Sequence, residues 1–133
     1  MNNKTIHVLE IEPGKKPYEK DIGPDLRSLQ NAVGGYIQAV YPYDEPVGLL
    51  LDEESKLTGK ELNRALRDED GDIYDVIAGT FLVVGLGEED FDSLSPELCE
   101  QFREKFAVPE TFISVNGKIL CIPMNASRDM PTF

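Results

Sequence analysis

The chain has 133 residues, enough to bury a hydrophobic core without disulfides or a structural metal. It carries 13 Lys and Arg against 25 Asp and Glu, a formal net charge of −12. Such a surface repels duplex DNA and anionic membranes, so we expect no direct nucleic-acid binding. No apolar run is long enough to span a membrane, and no secretion signal is visible at the N-terminus. These features favour a cytoplasmic protein with a single domain over residues 1–133.

The first part of the chain predicts four strands and one helix. Residues 6–11 are aliphatic and β-branched, and 16–22 predict an antiparallel partner at a sheet edge. Residues 24–35 combine helical apolar spacing with N-terminal proline and aspartate and a terminal Gly-Gly pair, which predicts a helix of roughly ten residues. Segments 36–44 and 47–52 predict two further strands, separated by a proline-containing loop.

The second part predicts two more helices and a hairpin. Thr58 with Glu61 three residues later has the spacing of a capping box, which predicts a short helix from about residue 59. Residues 73–87 predict one long apolar strand with a bulge or close backbone approach at Gly79. Ser95-Pro96 is typical of a helix start, and Asn116-Gly117 between two apolar runs predicts a β-hairpin. The last residues, 125–133, are expected to be loosely held.

These elements do not alternate regularly between strand and helix. We therefore predict an α+β fold, with a mainly antiparallel sheet of about six strands and two or three helices packed on one face.

Residues 66–75, LRDEDGDIYD, are unusually acidic. A calcium-binding EF-hand loop needs oxygen ligands at its first and twelfth positions, but aligning Gly71 with the required glycine places Leu66 and Ile77 there. The other register fails as well, so no metal site is predicted. Asp70-Gly71 instead favours a solvated turn.

Two arginines stand immediately before the acidic residues of this stretch. Arg64 and Arg67, beside Asn63, would form a local pocket for an anion, because the guanidinium group suits carboxylate or phosphate. The alternative is that both arginines pair with the neighbouring aspartates. Replacing both with alanine is expected to abolish anion binding without unfolding the domain.

The remaining chemistry-bearing residues predict no catalytic site and no cofactor. His7 is the single histidine, and it has no serine or cysteine context typical of a catalytic triad. Cys99 and Cys121 are far apart in sequence, which argues against a zinc site with His7 and favours two reduced thiols over a disulfide.

The order of three segments resembles a family of short proteins known only as a domain of unknown function. These are LRSLQNAVGGYIQAV, LLLDEESKLTGKELNRAL and DVIAGTFLVVG. The family is common in phages, plasmids and conjugative elements, especially in Firmicutes. The resemblance covers roughly residues 4–87, so residues 1–87 are the family-like core and 88–133 add a C-terminal helix and hairpin. It implies a mobile-element setting, in which small acidic proteins often oppose host defence, but no reaction.

Three functional hypotheses follow. The first is a non-enzymatic binding protein, possibly homo-oligomeric, that sequesters a small nucleotide-like anion. Its predicted ligand-binding residues are Asn63, Arg64, Arg67, Gly79 and Thr80. A pocket that gathers the two arginines and a tyrosine would favour this hypothesis.

The second hypothesis is a DNA mimic or a decoy for a basic protein partner. Its predicted interaction face consists of Asp68, Glu69, Asp70, Asp72, Glu88, Glu89, Asp90 and Asp92. Arginines neutralised by salt bridges beside a continuous acidic face would favour it. The third hypothesis is a hydrolase, for which no nucleophile and base are identified.

Overall fold

The structure, a computed structural model, describes residues 4–124. Those residues form ten strands and two helices. The strands are β1 (Ile6–Ile11), β2 (Tyr18–Ile22), β3 (Ile37–Val40), β4 (Val47–Asp52), β5 (Leu62–Arg67), β6 (Ile73–Ala78), β7 (Phe81–Leu86), β8 (Phe91–Asp92), β9 (Glu110–Val115) and β10 (Lys118–Pro123). The helices are α1 (Leu26–Val33) and α2 (Pro96–Lys105). The expectation for residues 125–133 lies outside the described residues.

The main sheet is antiparallel and has six strands in the order β2-β1-β7-β4-β3, with the short β8 paired to the end of β7. The most apolar strand, β7, lies between β1 and β4. The pairs β5–β6 and β9–β10 form two separate hairpins. The α+β class and the mainly antiparallel sheet are therefore confirmed, although the strands divide into three sheets.

The two helices cover opposite faces of the main sheet, so the prediction that they share one face is wrong. In α1, Leu29 and Val33 pack against Val8, Leu50, Leu82 and their neighbours. On the other face, α2 and the β5–β6 hairpin enclose a second cluster around Phe102. Strand residues on both faces are apolar, so each face needs its own cover. Neither of these described helices is long and apolar enough to cross a membrane.

The capping residues at the helix ends predicted the positions of both helices correctly. The Asp25 carboxylate accepts a hydrogen bond from the backbone N–H of Ser28, and Gly34 ends α1 with φ of 80°. Ser95 caps α2 in the same way, with Pro96 at its first position. The Asn116-Gly117 turn joins β9 and β10 with φ of 51° and 78°, as two-residue hairpin loops require.

The helix predicted from residue 59 is wrong, because Leu62–Arg67 is strand β5. The Thr58 hydroxyl donates backwards to the Glu54 carbonyl at 3.1 Å instead of capping a following helix. Gly59 then has φ of 76°, a left-handed conformation that interrupts any helical continuation. Pairing with β6 overrides the local helical spacing.

The single long strand predicted over residues 73–87 is also wrong. Gly79, with φ of 78°, lies in the turn that separates β6 from β7. Its N–H donates to the Glu61 carbonyl at 2.7 Å, which ties this turn to the start of β5.

Gly85 on β7 has no room for a side chain. A Cβ there would lie 2.3 Å from the Ser93 carbonyl oxygen, a backbone atom that cannot swing away. We expect Gly85→Ala to lower the free energy of unfolding by about 1–3 kcal/mol in urea denaturation, as overpacking does. Gly48→Ala is the matched control, since its nearest neighbour is the Tyr41 ring at 3.2 Å, and should cost less. If Gly85→Ala and Gly48→Ala lower the free energy of unfolding equally, the clash with the Ser93 carbonyl is not the cause.

Candidate functional site

A β-bulge in β5 buries two consecutive polar residues. Leu62 pairs with Ala78 and Arg64 pairs with Ile77, which leaves Asn63 as the extra residue on β5. A bulge re-aims side chains that would otherwise alternate between two faces. Here Asn63 is 0% exposed and Arg64 is 1% exposed.

The Arg64 guanidinium uses all five of its N–H groups inside the protein. Nε and Nη2 donate to the Phe106 carbonyl at 3.1 and 3.0 Å, and Nη2 also donates to the Lys15 carbonyl at 2.7 Å. Nη1 donates to the side-chain and backbone oxygens of Asn63 at 2.7 and 3.3 Å. The group therefore joins the β5–β6 hairpin to the end of α2 and to the β1–β2 turn, and it has no N–H left for a ligand.

Every one of those acceptors is uncharged. Among residues 4–124, no carboxylate oxygen lies within 4.0 Å of the Arg64 guanidinium, so the alternative in which Arg64 forms an ion pair with an aspartate is wrong. Burial lowers the pKa of Arg64, and the more distant charge of Glu110 acts in the opposite direction.

The other predicted ligand residues divide between this buried network and the surface. The Asn63 amide donates to the carbonyls of Ile11 and Gly79, both at 2.9 Å, so its donors are also occupied. Thr80 follows Gly79 in the β6–β7 turn and is partly exposed. The structure thus brings Asn63, Arg64 and Gly79 together, while Arg67 lies at the exposed end of β5.

Arg67 forms an ion pair with a residue that the sequence did not single out. Its Nη2 lies 3.0 Å from Glu110 Oε2 and 3.4 Å from Cys121 Sγ. Burial opposes the Arg67 charge, but the hydrogen bond and charge of Glu110 outweigh it and raise the pKa of the guanidinium. The predicted pairing of Arg67 with Asp68, Asp70 or Asp72 is therefore wrong, because Glu110 on β9 takes that place. The two cysteines are free thiols, as expected.

Arg64 and Arg67 line one hollow of about 430 Å³ between β5, the end of α2 and β9. Lys105 and Tyr43 line the same hollow, and the Lys105 ammonium lies 5.1 Å from the centre of the Tyr43 ring. Within the described part of the chain, Lys105 has no carboxylate within 4.0 Å. The hollow therefore has a buried guanidinium behind it and two cationic side chains, Arg67 and Lys105, that face solvent, and the Glu110 carboxylate that pairs with Arg67 also lines it. We call it the cationic hollow.

A second hollow of similar size adjoins the first, since Arg67, Lys105 and Tyr43 line both. Its other lining residues include Pro42, Tyr74, Asp68 and Glu69. Tyr74 is the extra residue of a second irregularity, in β6, and is 56% exposed. The lining is mixed: the rings of Tyr74, Tyr43 and Pro42 lie beside the two cations, and four carboxylates also line it, Asp44, Glu45, Asp68 and Glu69.

The predicted acidic face comes from two different turns. Asp68, Glu69, Asp70 and Asp72 lie in the β5–β6 turn, where the Asp68 carboxylate accepts hydrogen bonds from the backbone N–H groups of Asp70 and Asp72. The remaining four acids, Glu88, Glu89, Asp90 and Asp92, lie in and beside the β7–β8 turn. All eight are exposed. The solvated turn predicted at Asp70-Gly71 is confirmed, with Gly71 at φ of 86°.

Sequence reasoning missed Lys105 and Glu110, and it considered Tyr43 only as one of several tyrosines that could supply a stacking surface. They belong to a loop, a helix and a strand that meet only in the folded protein, and no local spacing connects them. The one available signal was the position of Lys105 beside Phe106, which marks it as a cation at the border of a buried helix face.

The comparison with known families decides the family of the chain. Residues 6–107 match the model of DUF3846, a domain of unknown function. The chain belongs to this family. The match continues past residue 87, so the DUF3846 region includes α2 and Lys105, and it ends before β9. Searches of the curated proteins and of the solved structures find no match.

Proposed function

We propose that this protein is a non-enzymatic binding protein that holds a small anion in the cationic hollow. The observation that carries the proposal is the convergence of three cationic side chains on one hollow in a chain of net charge −12. One of them, Lys105, has no carboxylate partner within 4.0 Å among residues 4–124. The hollow also gathers both arginines and a tyrosine, a combination that favours ligand capture.

The roles of the three cations differ. Arg64 cannot donate to a ligand, so it contributes through its buried positive charge. Arg67 donates one N–H to Glu110 and one towards Cys121, and its Nε and Nη1 groups are free to bind an anion within the described residues. Lys105 has three N–H groups above the Tyr43 ring. A phosphate or carboxylate would therefore bind between Arg67 and Lys105, where ionised partners give the stronger hydrogen bonds.

The aromatic side chain beside the two cations favours an anion that carries a base or ring, such as a nucleotide, over inorganic phosphate. Tyr74 and Pro42 line the second hollow beside the same two cations. Aromatic faces stack on nucleobases with little dependence on base identity. A phosphate at Arg67 and Lys105 would place an attached base or ring along Tyr74. The setting we propose for this capture, from the family resemblance, is a mobile genetic element that counters a host defence.

Isothermal titration with nucleoside mono-, di- and triphosphates and with inorganic phosphate tests the proposal. Loss of one charge-assisted hydrogen bond should weaken affinity by roughly 10- to 100-fold, so Lys105→Gln and Arg67→Gln are each expected to do so. Lys118→Gln is the matched control, because Lys118 lies at the start of β10 and does not line the cationic hollow.

Two outcomes would overturn the assignment. One is no binding of any of these anions to the unmodified protein at low ionic strength. The other is an equal loss of affinity in the Lys118→Gln control, which would point to non-specific attraction. Native mass spectrometry of protein purified under mild conditions would identify a retained ligand, whereas capture of a basic protein that depends on the acidic turns would favour the decoy hypothesis.

A further inference from the structure

A second cluster of polar side chains lies far from β5 along the chain, around the single histidine. His7 on β1, Glu19 on β2 and Cys99 on α2 place a nitrogen, an oxygen and a sulfur within 4.8 Å of one another. The sequence predicted no such group, because a single histidine and two distant cysteines are a poor set of zinc ligands, and Cys99 is 92 positions from His7. The fold removes that separation by packing the start of α2 over the start of β1.

Backbone contacts fix this packing. The N–H of Leu94 donates to the His7 carbonyl at 2.9 Å, and the N–H of His7 donates to the Ser93 hydroxyl at 2.9 Å. Cys99 follows one turn into α2 and is 5% exposed. The sulfur therefore forms a buried wall of the cluster, while His7 and Glu19 approach it from the β1–β2 hairpin.

The His7 ring is held between two carboxylates. Nδ1 lies 2.6 Å from Asp21 Oδ1, and Nε2 lies 2.7 Å from Glu19 Oε1. A neutral imidazole has one N–H, so when Nδ1 donates to Asp21, the Nε2 lone pair faces a carboxylate oxygen. That approach is favourable only when a cation, either a proton or a metal ion, lies between them. Histidines that bind metals commonly donate their other N–H to a carboxylate, which is the position Asp21 occupies.

Glu19 is oriented from its other side. Arg103 Nη1 lies 2.6 Å from Glu19 Oε2, which leaves Oε1 directed at His7. The Cys99 sulfur lies within 4.8 Å of the Glu19 carboxylate oxygen, and burial together with this carboxylate raises the pKa of the thiol. A hollow of about 280 Å³ opens beside the three groups and offers space for a further ligand.

We propose that His7 Nε2, Glu19 Oε1 and the Cys99 thiolate bind one Zn²⁺ ion, with the fourth coordination position open to this hollow. Imidazole, carboxylate and thiolate are the ligands that zinc takes in proteins, and three protein ligands with an open position are typical of sites that bind a water or a substrate group. Tetrahedral zinc needs ligand atoms roughly 3.3–3.8 Å apart, so Nε2 and Oε1, which lie 2.7 Å apart, have to separate by about 0.6–1.1 Å. Exposed side chains on β1 and β2 can make that adjustment. The net charge of −12 further favours capture of a divalent cation.

The metal-free protein titrated with Zn²⁺ and, separately, with Co²⁺ tests this site. One equivalent per chain is expected, and the cobalt form should show the near-ultraviolet absorption of a thiolate–cobalt bond. Cys99→Ser should abolish that absorption. Asp21→Ala, which removes the acceptor of the Nδ1 N–H, should weaken Zn²⁺ affinity by roughly 10- to 100-fold.

Cys121→Ser is the matched control, because it removes the other thiol at a distance from His7 and should leave both titrations unchanged. His7→Ala should lower affinity as strongly as Cys99→Ser, and thermal melting of each metal-free variant establishes that it is folded. The proposal is overturned if Zn²⁺ does not bind at one equivalent, if Cys99→Ser retains the thiolate absorption, or if Cys121→Ser loses it.

Discussion

Replacing Arg64 with alanine is expected to lower the free energy of unfolding by about 3–5 kcal/mol. The change removes five hydrogen bonds and leaves the buried Phe106 carbonyl, the buried Asn63 side-chain oxygen and the partly buried Lys15 carbonyl without their donor. Each unsatisfied buried acceptor costs about 1–3 kcal/mol. Urea denaturation followed by circular dichroism measures the effect, and the expected result is a strongly lowered midpoint.

Two further variants separate the contribution of the Arg64 hydrogen bonds to stability from the contribution of its positive charge. Arg64→Lys keeps the positive charge, but one ammonium group cannot reproduce the planar arrangement of five donors, so it should remain clearly destabilised. Arg67→Ala removes a half-exposed guanidinium and leaves the largely buried Glu110 carboxylate its hydrogen bonds from the Ala65 N–H and the Cys121 thiol, so it should cost less than Arg64→Ala. An Arg64→Ala midpoint as high as that of Arg67→Ala would show that the buried network contributes little.

The structural role of Arg64 determines which variants can be used to test ligand binding. The sequence suggested that Arg64 and Arg67 form a pair that can be removed together without unfolding. Arg64 is 1% exposed and holds three segments of the chain, whereas Arg67 is solvent-facing. Loss of anion binding in a double variant would therefore reflect loss of structure, so Arg67 and Lys105 are the informative positions.

Strong local signals predicted the fold correctly where a segment's own residues determine its structure. Asp25 and Ser95 cap helices with their own side chains, and Asn116-Gly117 adopts a turn available to few other pairs. The signals failed where distant pairing competes with local preference. Residues 59–67 have helical spacing, but Gly59 interrupts the helix and the partner strand β6 determines the outcome.

The candidate sites were less accessible to sequence reasoning for the same physical reason. Arg64 and Arg67 were found because they are close in sequence, yet only the bulge at Asn63 determines that Arg64 is buried. Lys105, Glu110 and Tyr43 reach the cationic hollow through tertiary packing. Likewise, Cys99 meets His7 only because α2 returns to the start of β1.

Phe102 connects this packing to the proposed function. It is 0% exposed in the core beneath α2, and its ring lies 5.0 Å from the Tyr43 ring that supports Lys105. We expect Phe102→Ala to lower the free energy of unfolding by about 3–5 kcal/mol, because it removes a buried aromatic ring and leaves a cavity. Anion affinity should fall as well, since Tyr43 loses the surface against which it packs.

Phe102→Leu separates these two effects, because leucine fills much of the cavity but offers no ring to Tyr43. It should recover most of the lost stability while anion affinity remains below that of the unmodified protein. Leu57→Ala is the control for a side chain that is 86% exposed, and it should change the free energy of unfolding by less than about 0.5 kcal/mol. If Phe102→Leu binds the anion as tightly as the unmodified protein, Tyr43 is positioned without the Phe102 ring, and the coupling between core and cationic hollow does not exist.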